Sequence, residues 1–263
     1  MDVDWLKVCR ECLRAAAEEI MRVYHSEERG VEISIGRGGD KTLIADKASE
    51  DTVIQKLREE HADARLISEE RGELLIGKRP RYTILLDPLD GSFNFKQGLD
   101  YFSISMAVLD PEKCFTAACI TNVSQGTEYY ADKEGAYRDG MKIEPSKKSR
   151  PDRLLLEFTK NGDAEDLRAI SGVLLKMRHV RAPGSMALDL CGLAEGKFDC
   201  GIFVGTSRYL DVAAGIFILE RAGGTVTDFQ GNPSIHEGIK LKAKNIIAGG
   251  NRDIQESILA SIS

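Results

Sequence analysis

The spacing of apolar side chains in the first 60 residues is that of helices laid on a core. Apolar residues recur at intervals of three and four from 5 to about 24, which predicts one long helix, and a second helix follows residue 46 and runs toward 61. Between them, residues 31–35 alternate as a strand does, and residues 37–40 are typical of a mobile loop.

Short apolar runs separated by turn residues occupy the next part of the chain. They predict strands over 64–67, 82–86, 102–109, 115–122 and 128–131. With the two helices before them, these strands indicate a helix-backed, largely antiparallel sheet.

Helix and strand patterns alternate after a polar, proline-containing stretch at 144–152. The predicted strands lie at 154–158, 180–182, 198–204, 224–227 and 245–248, and the predicted helices at 164–176, 186–195, 212–221 and 253–262. We therefore expect an N-terminal α+β half over 1–148 and a C-terminal α/β half over 149–263.

Composition and charge exclude several classes of protein. The chain has 263 residues, 42% of them hydrophobic, and a net charge of −6. Nucleic-acid binding would need a concentrated basic surface, and a membrane span would need about 18 consecutive apolar residues, so neither is expected. The N-terminus carries charges where a signal peptide needs an apolar core, which predicts a cytoplasmic protein. Six scattered cysteines lack the paired spacing of a zinc site and are interpreted mostly as small apolar core residues.

The most informative segment is Asp87-Pro88-Leu89-Asp90-Gly91-Ser92, which follows directly on the apolar strand 82–86. Two carboxylates where a strand ends can bind a hard divalent cation, and Pro88 constrains the turn between them. Gly91 and Ser92 then offer backbone N–H groups at a predicted helix start, an arrangement that binds phosphate oxygens. A capped turn without chemistry is the alternative.

Further acidic residues stand at the ends of other elements. Glu69 and Glu70 end the strand at 64–67, Asp211 precedes a helix that begins at 212, and Asp46 precedes the helix that follows it. Taken alone, Asp46 and Asp211 are better explained as helix N-caps, and Glu69 and Glu70 as solvated surface charges.

Together these residues resemble the inositol monophosphatase family, within the magnesium-dependent, lithium-sensitive sugar phosphatase superfamily. The segment 87–95 matches the family motif Asp-Pro-Ile/Leu-Asp-Gly-Thr/Ser-x-Asn-Phe, and residues 210–215 match its second motif, Trp/x-Asp-x-Ala-Ala-Gly. Glu220-Arg221-Ala222-Gly223-Gly224 follows where the family has Glu-Ala-Gly-Gly. Residues 68–70 match the family segment Gly/Ser-Glu-Glu, and residues 40–46 resemble its segment Asp-x-x-Thr-x-x-Asp. The resemblance implies a layered αβαβα sandwich of α+β class, a homodimer, and two to three Mg²⁺ ions in each active site.

The resemblance also implies roles for individual residues. Glu69, Asp87 and the Leu89 carbonyl would hold one Mg²⁺, and Asp87, Asp90 and Asp211 a second. A third ion would lie near Glu69, with Glu70 as a further ligand, and would position the nucleophilic water. Ser92 paired with Asp46 would orient and deprotonate that water, while the N–H groups of Gly91 and Ser92 hold the phosphate.

The substrate side departs from the family pattern. The family segment Gly-Ser/Thr-Ala-Ala is Gly184-Ser185-Met186-Ala187 here, preceded by Arg181, and the resemblance places Arg181, Gly184 and Ser185 at the substrate. Val204 replaces the glutamate of inositol-selective members, whereas Arg208 resembles archaeal members that also hydrolyse fructose 1,6-bisphosphate. A solvated loop arginine is the alternative interpretation of Arg208.

The leading hypothesis is a Mg²⁺-dependent phosphomonoesterase acting on small sugar or polyol phosphates, with inositol 1-phosphate and fructose 1,6-bisphosphate as first candidates. A 3′(2′),5′-bisphosphate nucleotidase or NADP phosphatase is an alternative, although no aromatic platform is evident near residues 184–190. An inactive metal- or partner-binding relative is a third hypothesis. The presence of all six acidic and hydroxyl site residues argues against it.

Overall fold

The computed structural model of the protein describes residues 3–35, 41–159, 161–206, 208–233, 236–237 and 240–262. The predicted loop at 37–40 lies outside the described residues. Within them, the helices are α1 Trp5–Tyr24, α2 Ile44–Glu59, α3 Ser92–Gln97, α4 Ala164–Leu174, α5 Met186–Ala194, α6 Leu210–Ala222 and α7 Arg252–Leu259. No described helix has the length and apolar character needed to cross a membrane.

The strands of the N-terminal part are β1 Glu32–Ile35, β2 Lys41–Leu43, β3 Ala64–Ser68, β4 Gly72–Ile76, β5 Tyr82–Asp90, β6 Ser103–Leu109, β7 Phe115–Asn122, β8 Thr127–Asp132, β9 Gly135–Arg138 and β10 Met141–Lys142. Those of the C-terminal part are β11 Arg153–Phe158, β12 His179–Arg181, β13 Cys200–Val204, β14 Thr225–Asp228, β15 His236–Glu237, β16 Lys240–Leu241 and β17 Ile246–Gly249. Residues 143–152 connect the two sets, and their role as a boundary between two halves stays a prediction.

The N-terminal sheet has eight strands in the order β10-β9-β8-β7-β6-β5-β3-β4. All its neighbours are antiparallel except β3 and β5, which run parallel. Helices α1 and α2 pack on one face of this sheet, where Leu13 and Leu57 meet Ile84 and Ile104 in a continuous apolar core. The predicted helix-backed, largely antiparallel sheet is confirmed, and α1 has the predicted bounds.

The second sheet has five strands in the order β12-β11-β13-β17-β14 and mixes parallel with antiparallel pairs. Helices α5 and α6 fill the space between the two sheets, because Leu190 and Ile216 contact apolar residues of both. Helices α4 and α7 cover the outer face through Ile170 and Ile254. The layers therefore follow the order α, β, α, β, α, which confirms the predicted sandwich.

Three boundaries differ from the sequence-based expectation near the acidic residues. Strand β5 continues to Asp90 and does not end at residue 86, because it stays paired with β6. Helix α2 begins at Ile44, and helix α6 begins at Leu210 with Tyr209 as its N-cap. Asp46 and Asp211 therefore lie within the first turns of their helices, and the N-cap interpretation of both is wrong.

Candidate active site

Glu69 and Asp87 meet because β3 and β5 are parallel neighbours and end at the same edge of the sheet. Ser68 pairs with Leu86 across the two strands, and the Glu69 N–H donates to the Leu86 carbonyl at 3.3 Å. Helix α6 brings Asp211 to the same edge from the layer between the sheets. Carboxylate oxygens of Glu69, Asp87 and Asp211 all lie within 4.8 Å of one another. We call these three residues the acidic cluster.

A β-bulge turns Asp90 toward the same side of the sheet as Asp87. Side chains three positions apart in a regular strand point to opposite faces. Here Asp87 lies opposite Ser105 and Asp90 opposite Ser103, so that two β5 residues face one residue of β6. The bulge is held by the Leu89 N–H, which donates to Asp87 Oδ1 at 3.0 Å, and by Ser49 Oγ, which donates to the Pro88 carbonyl at 2.8 Å.

The Asp90 carboxylate is fixed by three donors. Ser103 Oγ donates to its Oδ2 at 3.1 Å, the Ala187 N–H donates to the same atom at 3.1 Å, and Ser185 Oγ donates to it as well. Ser185 is buried and also caps α5 by accepting from the Leu188 N–H. The structure therefore places Ser185 behind Asp90, where it orients a carboxylate, and its predicted contact with substrate stays a prediction.

Burial of several carboxylates in one place raises their pKa values. Burial, followed by the charges of Glu69, Asp90 and Asp211, raises the pKa of Asp87 well above its usual range. Burial raises the pKa of Glu69 to about 7, although Arg208 opposes the shift. Burial likewise raises the pKa of Asp90 to about 6, against its three hydrogen bonds. A bound cation would offset the cost of these buried charges, and an all-oxygen donor set fits Mg²⁺.

Arg208 lies inside the acidic cluster, so the interpretation as a solvated loop arginine is wrong. Its Nε donates to Asp211 Oδ2 at 3.2 Å, and its Nη1 donates to Glu69 Oε1. Desolvation lowers the pKa of Arg208, but the neighbouring carboxylates more than compensate and the guanidinium stays charged. It thereby neutralises part of the negative charge at the site.

The remaining predicted residues of the water-activating group are Asp46, Glu70 and Ser92. Asp46 is buried, and its Oδ2 accepts a hydrogen bond from the Leu43 N–H at 2.6 Å. Asp46 lies in the first turn of α2 and thereby pairs the backbone N–H of the N-cap residue Leu43. Burial raises the pKa of Asp46 well above its usual range, with Glu70 and Glu69 adding to the shift. Glu70 accepts a hydrogen bond from the Thr42 hydroxyl. The described contacts of Ser92 include no direct hydrogen bond to Asp46, and this pairing stays a prediction.

The acidic cluster opens into a cavity of about 660 Å³. Its lining combines the carboxylates, the turn at Gly91 and Ser92, and one edge of the second sheet: Glu69, Asp87, Leu89, Asp90, Gly91, Ser92, Phe93, Glu157, Phe158, Thr159, Asn161, Gly184, Met186, Arg208 and Asp211. Gly184 lines the cavity, and its predicted contact with substrate stays a prediction. Arg181 is exposed and donates to the Val180 carbonyl, and it does not line this cavity.

Sequence reasoning missed the lining residues that come from the end of β11. Glu157 and Phe158 close a parallel strand, and Thr159 and Asn161 follow it in a loop that both anchor to the Gly205 carbonyl. Phe158 (42% exposed) and Phe93 (69% exposed) present their phenyl rings at the cavity. In the sequence, no aromatic platform was evident near residues 184–190. The available signal was the position of Glu157, Phe158, Thr159 and Asn161 at or just after the carboxyl end of the strand predicted at 154–158, the end of the strands at which α/β proteins bind ligands.

Comparison with known proteins gives a consistent result over the whole chain. The model of a family described as the inositol monophosphatase family matches residues 2–263. The chain is 31% identical to the fructose-1,6-bisphosphatase/inositol-1-monophosphatase of Archaeoglobus fulgidus, covering 98% of both proteins. It is also 31% identical to the bifunctional NADP phosphatase/NAD kinase of Methanococcus maripaludis, over 87% of this chain and 44% of that protein. The solved structure of extragenic suppressor protein suhB from Bartonella henselae superposes with a TM-score of 0.87 at 27% identity, covering 98% of each chain.

Proposed function

The chain belongs to the inositol monophosphatase family, and we propose that it hydrolyses the phosphomonoesters of small sugars or polyols at the acidic cluster. The observation that carries this proposal is the meeting of Glu69, Asp87 and Asp211 within 4.8 Å at a cavity that Asp90 and Gly91 also line. This arrangement combines ligands for a divalent cation with backbone donors for a phosphate. Inositol 1-phosphate and fructose 1,6-bisphosphate are the first candidate substrates.

Mg²⁺ is the cation that we propose for the cluster. Glu69, Asp87 and the Leu89 carbonyl would hold one ion, and Asp87, Asp90 and Asp211 a second. When bound, Mg²⁺ supplies a Lewis acid that neutralises charge on the phosphate and lowers the pKa of water.

The protein's own groups would position the reactants. The N–H groups of Gly91 and Ser92 would bind phosphate oxygens, since Gly91 holds a left-handed conformation at φ 85° that places its successor at the start of α3. The Ser92 hydroxyl and the Asp46 carboxylate would orient the attacking water and accept its proton. Because the lining offers no evident covalent nucleophile, we expect direct transfer of the phosphoryl group to water.

NADP phosphatase activity is a second candidate that a specific observation favours. Phe93 and Phe158 expose phenyl rings at the cavity, and such rings can stack against a planar base. The relative from Methanococcus maripaludis carries NADP phosphatase in its name.

The test is phosphate release from inositol 1-phosphate, fructose 1,6-bisphosphate, adenosine 3′,5′-bisphosphate and NADP⁺, with and without Mg²⁺. We expect Mg²⁺-dependent release that the Asp87→Asn variant, purified in the same way, lacks. Equal turnover by this variant would show that the activity comes from a contaminant or from another site. A homodimer, a cytoplasmic location and a third ion near Glu69 and Glu70 are further proposals.

A further inference from the structure

A second pair of carboxyl groups borders the cavity, separate from the acidic cluster. Glu157, in β11, lines the cavity, and Asp189, in α5, is fully buried next to it. Their carboxyl groups lie within hydrogen-bonding reach of each other, and no N–H or O–H of the described residues donates to Asp189 Oδ2. Glu157 Oε1 also accepts from the Gly184 N–H at 2.9 Å, and Asp189 Oδ1 accepts from the Tyr101 hydroxyl at 2.7 Å. A chain of hydrogen bonds thus runs from Tyr101 through Asp189 to Glu157.

Two carboxyl groups can share a hydrogen bond only when one of them carries a proton. Asp189 is the fully buried member of the pair, and no described N–H or O–H donates to its Oδ2, so we place the proton on this atom. Burial and the charge of Glu157 raise the pKa of Asp189, which acts in the same direction. Burial also raises the pKa of Glu157, but the hydrogen bonds from Asp189 and from the Gly184 N–H oppose that shift. Glu157 is therefore the acceptor of the pair.

The surroundings of Glu157 also fix its orientation. Asn94 Nδ2 donates to the carbonyls of Pro183 and Tyr101, at 2.7 and 2.8 Å, and so holds the loop that carries Gly184 against the segment that carries Tyr101. A carboxylate held from behind by two donors presents its remaining lone pairs to the cavity. A substrate hydroxyl can donate to these lone pairs, whereas a second phosphate at the same place would be repelled.

We propose that Glu157 is a specificity-determining residue that accepts a hydrogen bond from a substrate hydroxyl next to the phosphate ester, with Asp189 and Tyr101 as positioning residues. The ligand class is a polyol or sugar phosphate with a free hydroxyl on a carbon adjacent to the ester. This inference rests on the proposed phosphatase function and adds a recognition contact to it.

The experiment compares two esters with the Mg²⁺-loaded full-length protein. Inositol 1-phosphate has adjacent hydroxyls, and p-nitrophenyl phosphate has none. Removing an acceptor from a hydroxyl–carboxylate hydrogen bond lowers kcat/KM by about 10- to 100-fold. For Glu157→Ala, which leaves no acceptor at this position, we expect that loss with inositol 1-phosphate, mainly as a higher KM, and a change of less than about twofold with p-nitrophenyl phosphate.

Substrate analogues identify the contact itself. The 2-deoxy and 6-deoxy forms of inositol 1-phosphate each lack one neighbouring hydroxyl. The wild-type protein should lose a similar factor with one of them, and Glu157→Ala should lose nothing more with that analogue. Equal losses on both esters, or no loss on either, would overturn the role of Glu157. A wild-type protein that cleaves neither ester would instead overturn the proposed function, and the inference with it.

Variants of Asp189 and Tyr101 test the positioning role. Asp189→Asn keeps an N–H donor toward Glu157 and an oxygen that accepts from Tyr101, so it should retain the wild-type preference for inositol 1-phosphate. Asp189→Leu should lose the preference while it keeps the turnover of p-nitrophenyl phosphate. Tyr101→Phe, a milder change that serves if Asp189→Leu does not fold, should raise the KM for inositol 1-phosphate alone. Unchanged preference in both disruptive variants would overturn the positioning role.

Discussion

Asp87→Asn provides a sharp test of the acidic cluster, because it removes one negative charge with almost no change of shape. Asp87 is only 2% exposed, and its carboxylate lies within 4.8 Å of those of Glu69 and Asp211. At 4.8 Å and an effective dielectric constant of about 20, two carboxylates repel by about 3.5 kcal/mol. Burial and the neighbouring carboxylates raise the pKa of Asp87, which favours its protonated form in the metal-free protein, and holding this proton costs more free energy as the pH rises. We therefore expect asparagine to stabilise the metal-free protein at pH 8.

The expected gain is about 3 kcal/mol, or about 6–12 °C in Tm for a chain of this size. Activity should fall, because the variant loses the residue that is proposed to bridge two ions. A loss of about 4 kcal/mol of transition-state stabilisation lowers kcat/KM by about 10³-fold. The stabilisation that Mg²⁺ adds to the wild-type protein should vanish in the variant.

Thermal unfolding in EDTA and in Mg²⁺ measures both stability effects, and phosphate release measures activity. Asp199→Asn is a matched control for which we expect the opposite change in stability. Asp199 is also fully buried, but Arg153 and Ser146 donate to it, and these hydrogen bonds outweigh burial and hold its pKa below the usual range. The control should destabilise the protein in both buffers. A metal-free Asp87→Asn protein less stable than wild type, or one that keeps the Mg²⁺-induced shift, would refute the reasoning.

Three further predictions concern the same site. Ser92→Ala should lower kcat by about 10²-fold with little change in KM, because a positioned proton acceptor acts in the transition state. Steady-state kinetics measure both constants, and an unchanged kcat would show that Ser92 does not take part in activating the water. Gly91→Ala should lower the free energy of unfolding by about 1–3 kcal/mol, since φ is 85° and the new Cβ would lie 3.1 Å from the carbonyl oxygens of Gly184 and Tyr101; urea unfolding checks this, and wild-type stability would contradict it. In EDTA, the protein should lose stability from about pH 4 to 7, because Asp90 (pKa about 6) and Glu69 (about 7) bind protons more tightly when folded than at their usual values of 3.8 and 4.5. The contribution of these two carboxyl groups to the free energy of unfolding is fully present below about pH 4, and saturating Mg²⁺ should abolish its decline. Unfolding experiments at three pH values measure this decline. A metal-free protein that grows more stable over this range would contradict the prediction.

Local patterns predicted most of the layers, because each depends on residues close together in the chain. The apolar periodicity of α1 gave its bounds directly, and the run from Tyr82 to Leu86 identified the strand that carries Asp87. The bulge after Asp87 could not be predicted in this way. It depends on pairing with Ser103 and Ser105 in β6 and on a hydrogen bond from Ser49 to the Pro88 carbonyl, two residues that lie 39 positions apart along the chain.

The same reason explains why some cavity residues were missed. Glu157 becomes a candidate only once α5 packs against β11 and buries Asp189 beside it, which no local pattern shows. Arg208 could be placed near the pocket from its spacing to Asp211, but its contact with Glu69 crosses 139 positions. Long-range contacts of this kind decide whether a charged side chain is a surface group or part of a site.

The layered core also explains how like charges can be held so close together. Repulsion within the acidic cluster favours separation of β5 from α6, yet both pack through apolar residues into the layer between the two sheets. Asp90 is tied to the start of α5 by Ser185 and the Ala187 N–H, so the position of this carboxylate depends on helix α5 as well as on strand β5. The stability of the core therefore maintains an arrangement of carboxylates that is unfavourable without a cation. For the same reason a cation that binds there gains affinity, because the protein has already met the cost of bringing its ligands together.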